Sequence, residues 1–114
     1  MNSSGAPIFV KFYGYLKWLF QCVERFPKSA RPVIGNRMLA LGLETLEDIV
    51  VALYSREKVS LLERVNIRIE LLRVMSRMVK DLRFISVGQF EYAVRELNLT
   101  GAMVGGWIKQ QRKG

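Results

Sequence analysis

The strongest constraint on this chain is the spacing of its apolar residues, which recur at intervals of three and four from the first segment to the last and nowhere alternate cleanly over the length of a strand. A pattern of that period puts apolar side chains on one face of a helix and rules out a sheet as the organising element. The fold class expected is therefore all-α.

Proline and capping residues divide the pattern into four segments. The first helix is predicted from about Pro7, well placed as a first-turn proline, through Phe9, Phe12, Leu16, Leu19 and Val23 to Phe26, where Pro27 stops it. Ser29 is a candidate cap for a second helix with Pro32 in its first turn, running to about residue 55. That helix carries Ile34, Met38, Leu41, Thr45, Ile49 and Ala52 on one face. Leu39, Leu43, Leu46, Val50 and Leu53 widen the arc, so it is either central or shared with another subunit. Ser60 with Glu63, and Ser86 with Gln89, have the spacing of capping boxes for helices over about 59–85 and 87–111. In the last of these Phe90, Val94, Leu97, Gly101, Val104 and Ile108 form a bundle seam. Short connections make sequential helices antiparallel, so the chain 1–114 is expected to form one domain, an up-down-up-down four-helix bundle.

Composition narrows the chemistry. The sequence holds no histidine and one cysteine, Cys22, so the commonest general base is missing, a zinc site lacks ligands and no intrachain disulfide is possible. Glu44, Glu47 and Asp48 share one side of the second helix and have the composition of a magnesium or acid/base site, but the arginines of the third helix are the more natural partners. No phosphate-binding glycine loop is present. The expectation is a protein with no catalytic residue, no metal and no cofactor. Lys11 and Lys17 interrupt the longest apolar stretch of the first segment and Glu44, Glu47 and Asp48 that of the second, so neither reaches the length of a membrane span, and the first residues lack the basic start of a secretory signal. Neither a membrane partner nor export is expected, and the lone cysteine suits a reducing cytoplasm.

Charge points to partners. Eighteen basic against 10 acidic residues give +8, a field that concentrates polyanions and weakens with salt. Most of the excess falls after residue 55. Arg73, Arg77 and Lys80 follow one another at spacings of four and three on the third helix and form a basic stripe, to which Arg83, Lys109, Arg112 and Lys113 add. Arg64 and Arg68 lie closer to the line of Leu71, Met75 and Leu82. That line is read as the apolar side of the helix, so as buried arginines they need either the acids of the second helix or an intersubunit channel. Gly101 and Gly105, with Gly106 and Trp107 following, suggest close helix approach and an aromatic covering the bundle end or meeting a neighbour.

Taken in order, Phe26-Pro27-Lys28-Ser29, Gly35 and Arg37, Tyr54-Ser55-Arg56, Asn66 with Glu70-Leu71-Leu72-Arg73, Lys80-Asp81-Leu82, Gln89-Phe90-Glu91 and Gly105-Gly106-Trp107 span nearly the whole chain. This series resembles the accessory variability determinant (Avd) proteins of diversity-generating retroelements, within the wider group of four-helix proteins encoded by intervening sequences of 23S ribosomal RNA. The resemblance implies a ring-like homopentamer of four-helix protomers that binds the retroelement's reverse transcriptase and template RNA, and possibly the cDNA. By the same likeness the protein is needed for mutagenic, adenine-directed cDNA synthesis without being a polymerase. Two rivals stand beside it: a ribosomal intervening-sequence type that binds RNA without a transcriptase, and a purely structural oligomer kept in solution by its charge.

Overall fold

A computed structural model describes residues 5–113; the N-terminal residues 1–4 and residue 114 lie outside it, and with them most of the segment read above for a secretory signal. Four helices account for nearly all of the described chain: α1 (Pro7–Glu24), α2 (Asn36–Tyr54), α3 (Val59–Asp81) and α4 (Val87–Lys113), with no strand among the described residues. Each helix packs on the next, and α4 also packs on α1, which leaves α1 and α3 at diagonal corners of a square. The result is an antiparallel bundle measuring 47 × 21 × 20 Å.

The core is built as the periodicity requires. Phe12, Tyr15, Leu16 and Leu19 of α1, Met38, Leu41 and Ile49 of α2, Leu62, Val65, Ile69 and Leu72 of α3, and Leu97 and Val104 of α4 are buried in one continuous cluster. Of the seam expected on α4, Leu97, Val104 and Ile108 are buried, while Phe90, Val94 and Gly101 are partly exposed and Ala93 and Thr100 take inward places. The thirteen-atom ladder tolerates the inward hydroxyls of Thr45, Ser76 and Thr100 because each donates to the carbonyl four residues earlier, Leu41, Leu72 and Glu96.

Helix ends separate the capping signals that hold from those that do not. Ser86 and Gln89 form the reciprocal box: the Ser86 N–H donates to Gln89 Oε1 at 2.8 Å and the Gln89 N–H to Ser86 Oγ at 3.0 Å. Ser60 and Glu63 do not. Lys58 occupies the N-cap of α3 and no side chain caps it, so Ser60 falls inside the first turn and Glu63 is free to reach Arg112 instead. Ser29 makes no cap either. The chain passes from Pro27 through a turn into a π-helical segment, Arg31–Gly35, whose wide loop closes with the Gly35 N–H donating to the Ala30 carbonyl at 3.2 Å. Pro32 has no N–H to give a regular first turn.

The third helix ends four residues earlier than its apolar pattern suggests. Leu82 is its C-cap, and Arg83 takes the left-handed conformation at φ 64°, with Arg83 N–H donating to the Lys80 carbonyl and Phe84 N–H to the Val79 carbonyl. These are the two bonds of a Schellman motif, at a position usually held by glycine.

The closest approaches between elements fall at glycines other than Gly101 and Gly105. A Cβ at Gly42 would stand 2.5 Å from Leu16 Cδ1, and one at Gly35 would stand 2.7 Å from Val23 Cγ1. At Gly101 it would stand 3.0 Å from the flexible end of Arg73 and 3.9 Å from Ile69 Cγ2, both on α3, and at Gly105 and Gly106 nothing lies within 4 Å. Both of these last sit in the interior of α4, where glycine is worse than alanine by roughly 0.5–1 kcal/mol. Gly105→Ala and Gly106→Ala are each expected to raise the unfolding free energy by about that amount, and Gly42→Ala to lower it by about 1 kcal/mol through overpacking. Urea melts of the three variants check the signs; a destabilised Gly105→Ala would mean that something covers that surface.

Candidate functional site

The nine cations singled out in the sequence occupy four regions of the protomer, which by itself does not gather them into one surface. Arg64 and Arg68 project from the flank of α3 that faces α2, where both grip one carboxylate. Arg64 Nε donates to Asp48 Oδ2 at 3.0 Å, Arg68 Nη1 donates to the same oxygen, and Arg68 also reaches the Glu44 carbonyl at 3.3 Å. Of the two sequence alternatives for this pair, the acidic side of α2 is the one observed. The premise changes, however: Leu71 and Leu82, the line beside which these arginines were placed, face outward rather than into the core. The acidic trio splits as well, with Asp48 between the two arginines and Glu44 3.8 Å from Arg37.

The other flank of α3, facing α4, carries the stripe. Arg73 Nη1 donates to Glu70 Oε1 at 2.7 Å and its Nε to Asn98 Oδ1 at 2.8 Å. Lys80 lies 4.6 Å from the centroid of the Phe90 ring and 3.5 Å from Asp81. These two therefore help to dock α4 as well as to present charge. Arg77 is the open member, three-quarters exposed, with Asp81 no nearer than 4.0 Å.

The remaining cations collect at the two ends of the bundle. At one end, Lys109, Arg112 and Lys113 close α4, with Arg112 held by Glu63 at 2.7 Å and Lys109 and Lys113 exposed. Trp107 covers the core there under the Lys58 ammonium, 4.9 Å from its ring centroid. The end cover read for Trp107 is therefore met within the single chain. At the opposite end, Arg83 stands out from the turn after α3.

Sequence reasoning missed three companions of Arg83. Arg25, Lys28 and Arg31 lie in the connection after α1, and a Phe26–Phe84 ring contact, 5.8 Å between centroids, ties that connection to the α3–α4 turn. A signal existed: residues 25–35 hold three cations and no acid. Four positive side chains therefore share one end of the bundle, none with an ion pair among the described residues. The amino ends of α2 and α4 open at this end too, adding their partial positive charge.

Among the described residues, no group of three or more histidine, cysteine, aspartate or glutamate residues could hold a metal, and no helix is long and apolar enough to cross a membrane. Cys22 is buried, and burial raises its thiol above the ordinary range, against the milder lowering by Arg25, so it is a poor nucleophile at neutral pH. The arrangement suits electrostatic binding: rows of guanidinium and ammonium groups on a rigid helical frame.

A direct comparison with individually curated proteins gives no match. The family comparison does: residues 8–111, from the first turn of α1 to the last turn of α4, match the family described as bAvd-like, and the chain belongs to that family.

Proposed function

We propose that this protein is a non-enzymatic accessory subunit of a diversity-generating retroelement, assembling as a homopentamer that holds the reverse transcriptase and its template RNA, and possibly the cDNA, through its basic surfaces. Family membership across residues 8–111 supports the assignment. The observation that carries the binding role is Arg83. A non-glycine residue at φ 64° is strained by about 1 kcal/mol, and glycine there would relieve it. An arginine held in that conformation, beside Arg25, Lys28 and Arg31, gives up stability for a charge at the tip of the bundle, as strained residues at binding sites do.

The binding set proposed is Arg77, Arg83, Lys109 and Lys113 as the open cations, with Arg64, Arg68, Arg73, Lys80 and Arg112 engaging phosphates only by exchanging their present partners. Binding of this kind follows backbone charge rather than base sequence and falls steeply with salt. Arg83→Gly separates stability from binding. The variant is expected to unfold at equal or higher urea concentration than the wild type while binding single-stranded RNA more weakly, with a log-log salt slope shallower by about 0.7 for each phosphate that is no longer neutralised. Filter binding at several salt concentrations, alone and with the co-expressed transcriptase, measures it.

The ion pairs on Arg64, Arg68, Arg73 and Arg112 favour one competing reading, an oligomer whose charge serves only to keep it in solution. Salt-insensitive or absent RNA and transcriptase binding selects that reading.

A further inference from the structure

The third helix is apolar on two opposite faces. Its inner face holds Leu62, Val65, Ile69, Leu72 and Val79, while Ile67, Leu71, Val74, Met78 and Leu82, at spacings of four, three, four and four, form a second stripe that is 43–62% exposed. A solvated helix face has no reason to repeat apolar residues over 15 positions, about 22 Å of helix. This ridge is flanked by Arg64 and Arg68 on one side and by Arg73 and Lys80 on the other, an apolar centre with a charged rim.

The same protomer carries a matching concavity. Tyr13, Leu16, Lys17, Phe20, Leu43 and Leu46 line a groove of about 160 Å³ between α1 and α2. Tyr13, Phe20 and Leu43 of this lining are 41–44% exposed. Charges complement as well as shapes. Lys17 stands in the groove, and Glu70 stands beside Leu71 on the ridge; Glu47, one turn from Leu43, is exposed with no cation partner among the described residues, and the ridge offers the open Arg77.

We infer that the α3 ridge of one copy of this chain seats in the α1–α2 groove of a second copy. The inference rests on the self-association proposed above and names the surfaces that make it. Ridge and groove are different patches, so the contact is heterologous: each copy offers a free ridge at one side and a free groove at another. With α3 at the corner diagonal to α1, repeated docking adds subunits head to tail, and the series closes into a ring where the rotation between neighbours divides a full turn. The arginine rows on either side of the ridge then lie along each subunit junction.

Cysteine pairing tests the contact in a Cys22→Ala background. Val74→Cys and Leu43→Cys copies, mixed and oxidised, are expected to give a disulfide-linked pair of chains, each 13.1 kDa, far more abundantly than either variant alone. Val74→Glu with Met78→Glu is expected to reduce the mass in light scattering to that of one chain while far-ultraviolet circular dichroism stays helical. An oligomer that survives the double variant, or Val74→Cys copies that link only to each other, overturns the ridge-in-groove contact and leaves self-association standing. A wild-type protein that stays monomeric, or whose ridge is covered only in a one-to-one complex with the transcriptase, overturns both.

Discussion

Tyr15→Phe is expected to make this protein more stable, by about 1–2 kcal/mol. The ring of Tyr15 is fully buried between α1 and the rest of the core, against Phe12 and Trp18, and its contribution there is that of a large apolar group. Its hydroxyl is another matter. Tyr15 Oη is buried and closes no hydrogen bond of good geometry among the described residues: its neighbour, the Ser76 hydroxyl, donates to the Leu72 carbonyl at 2.7 Å and offers it only a weak contact. A buried polar group without a partner loses its water for nothing, at about 1–3 kcal/mol. Removing one oxygen leaves a gap too small to offset that gain.

The same group gives the protein an alkaline limit. Burial holds the Tyr15 phenol well above its ordinary value of 10.0, with Ser76 easing the rise, and burial likewise raises Cys22 above 9.0. For both, the folded state keeps a proton that the unfolded chain gives up. Their stabilising contribution is therefore complete below about pH 9 and is lost progressively as pH rises past the unfolded values. Urea unfolding of the wild type at pH 8 and pH 10.5 is expected to show the decline, and Tyr15→Phe to reduce it. A variant less stable than wild type at pH 8 would reveal a partner for Oη that the fold conceals.

Tyr15 also marks where sequence and structure part company. That its position is buried follows from the three-and-four spacing of α1; that its hydroxyl is stranded depends on how α3 is rotated, which no pattern in α1 encodes. The same division runs through the molecule. Helix existence was legible because burial repeats with the helical turn, and the Ser86–Gln89 box because both its partners are local. The Ser60–Glu63 pair has the same spacing and fails, since α3 begins with Val59 and Lys58 takes the cap.

The third helix was the hardest to orient. Both of its apolar stripes satisfy the helical period, so the line through Leu71 and Leu82 passed for an inward face until neighbouring helices picked the other. Cation partners were equally hidden. Asp48 lies 16 and 20 positions from Arg64 and Arg68, and Arg112 meets Glu63 across 49. Which arginines are free to bind anything is thus a property of packing between helices, even though their number is plain from composition.

Asp48 turns that property into an experiment with two readouts of opposite sign. Its carboxylate is 13% exposed and receives both Arg64 and Arg68, so it joins α2 to α3 where two guanidinium groups share one acid. Asp48→Asn keeps the shape and removes the charge, leaving a poorly solvated Arg68 facing a weaker acceptor. Breaking a fully buried pair costs about 3–5 kcal/mol; because Arg64 is more than half exposed and can turn to water, about 2 kcal/mol is expected here. The substitution also raises the net charge from +8 to +9 and releases two arginines beside the α3 ridge. If those arginines belong to the RNA surface, the less stable variant binds RNA more tightly at low salt, with a slope steeper by roughly 1.5 per copy as two further phosphates are neutralised. A loss of stability with an unchanged slope would assign Arg64 and Arg68 to holding the bundle together and return the binding role to the open cations at its ends.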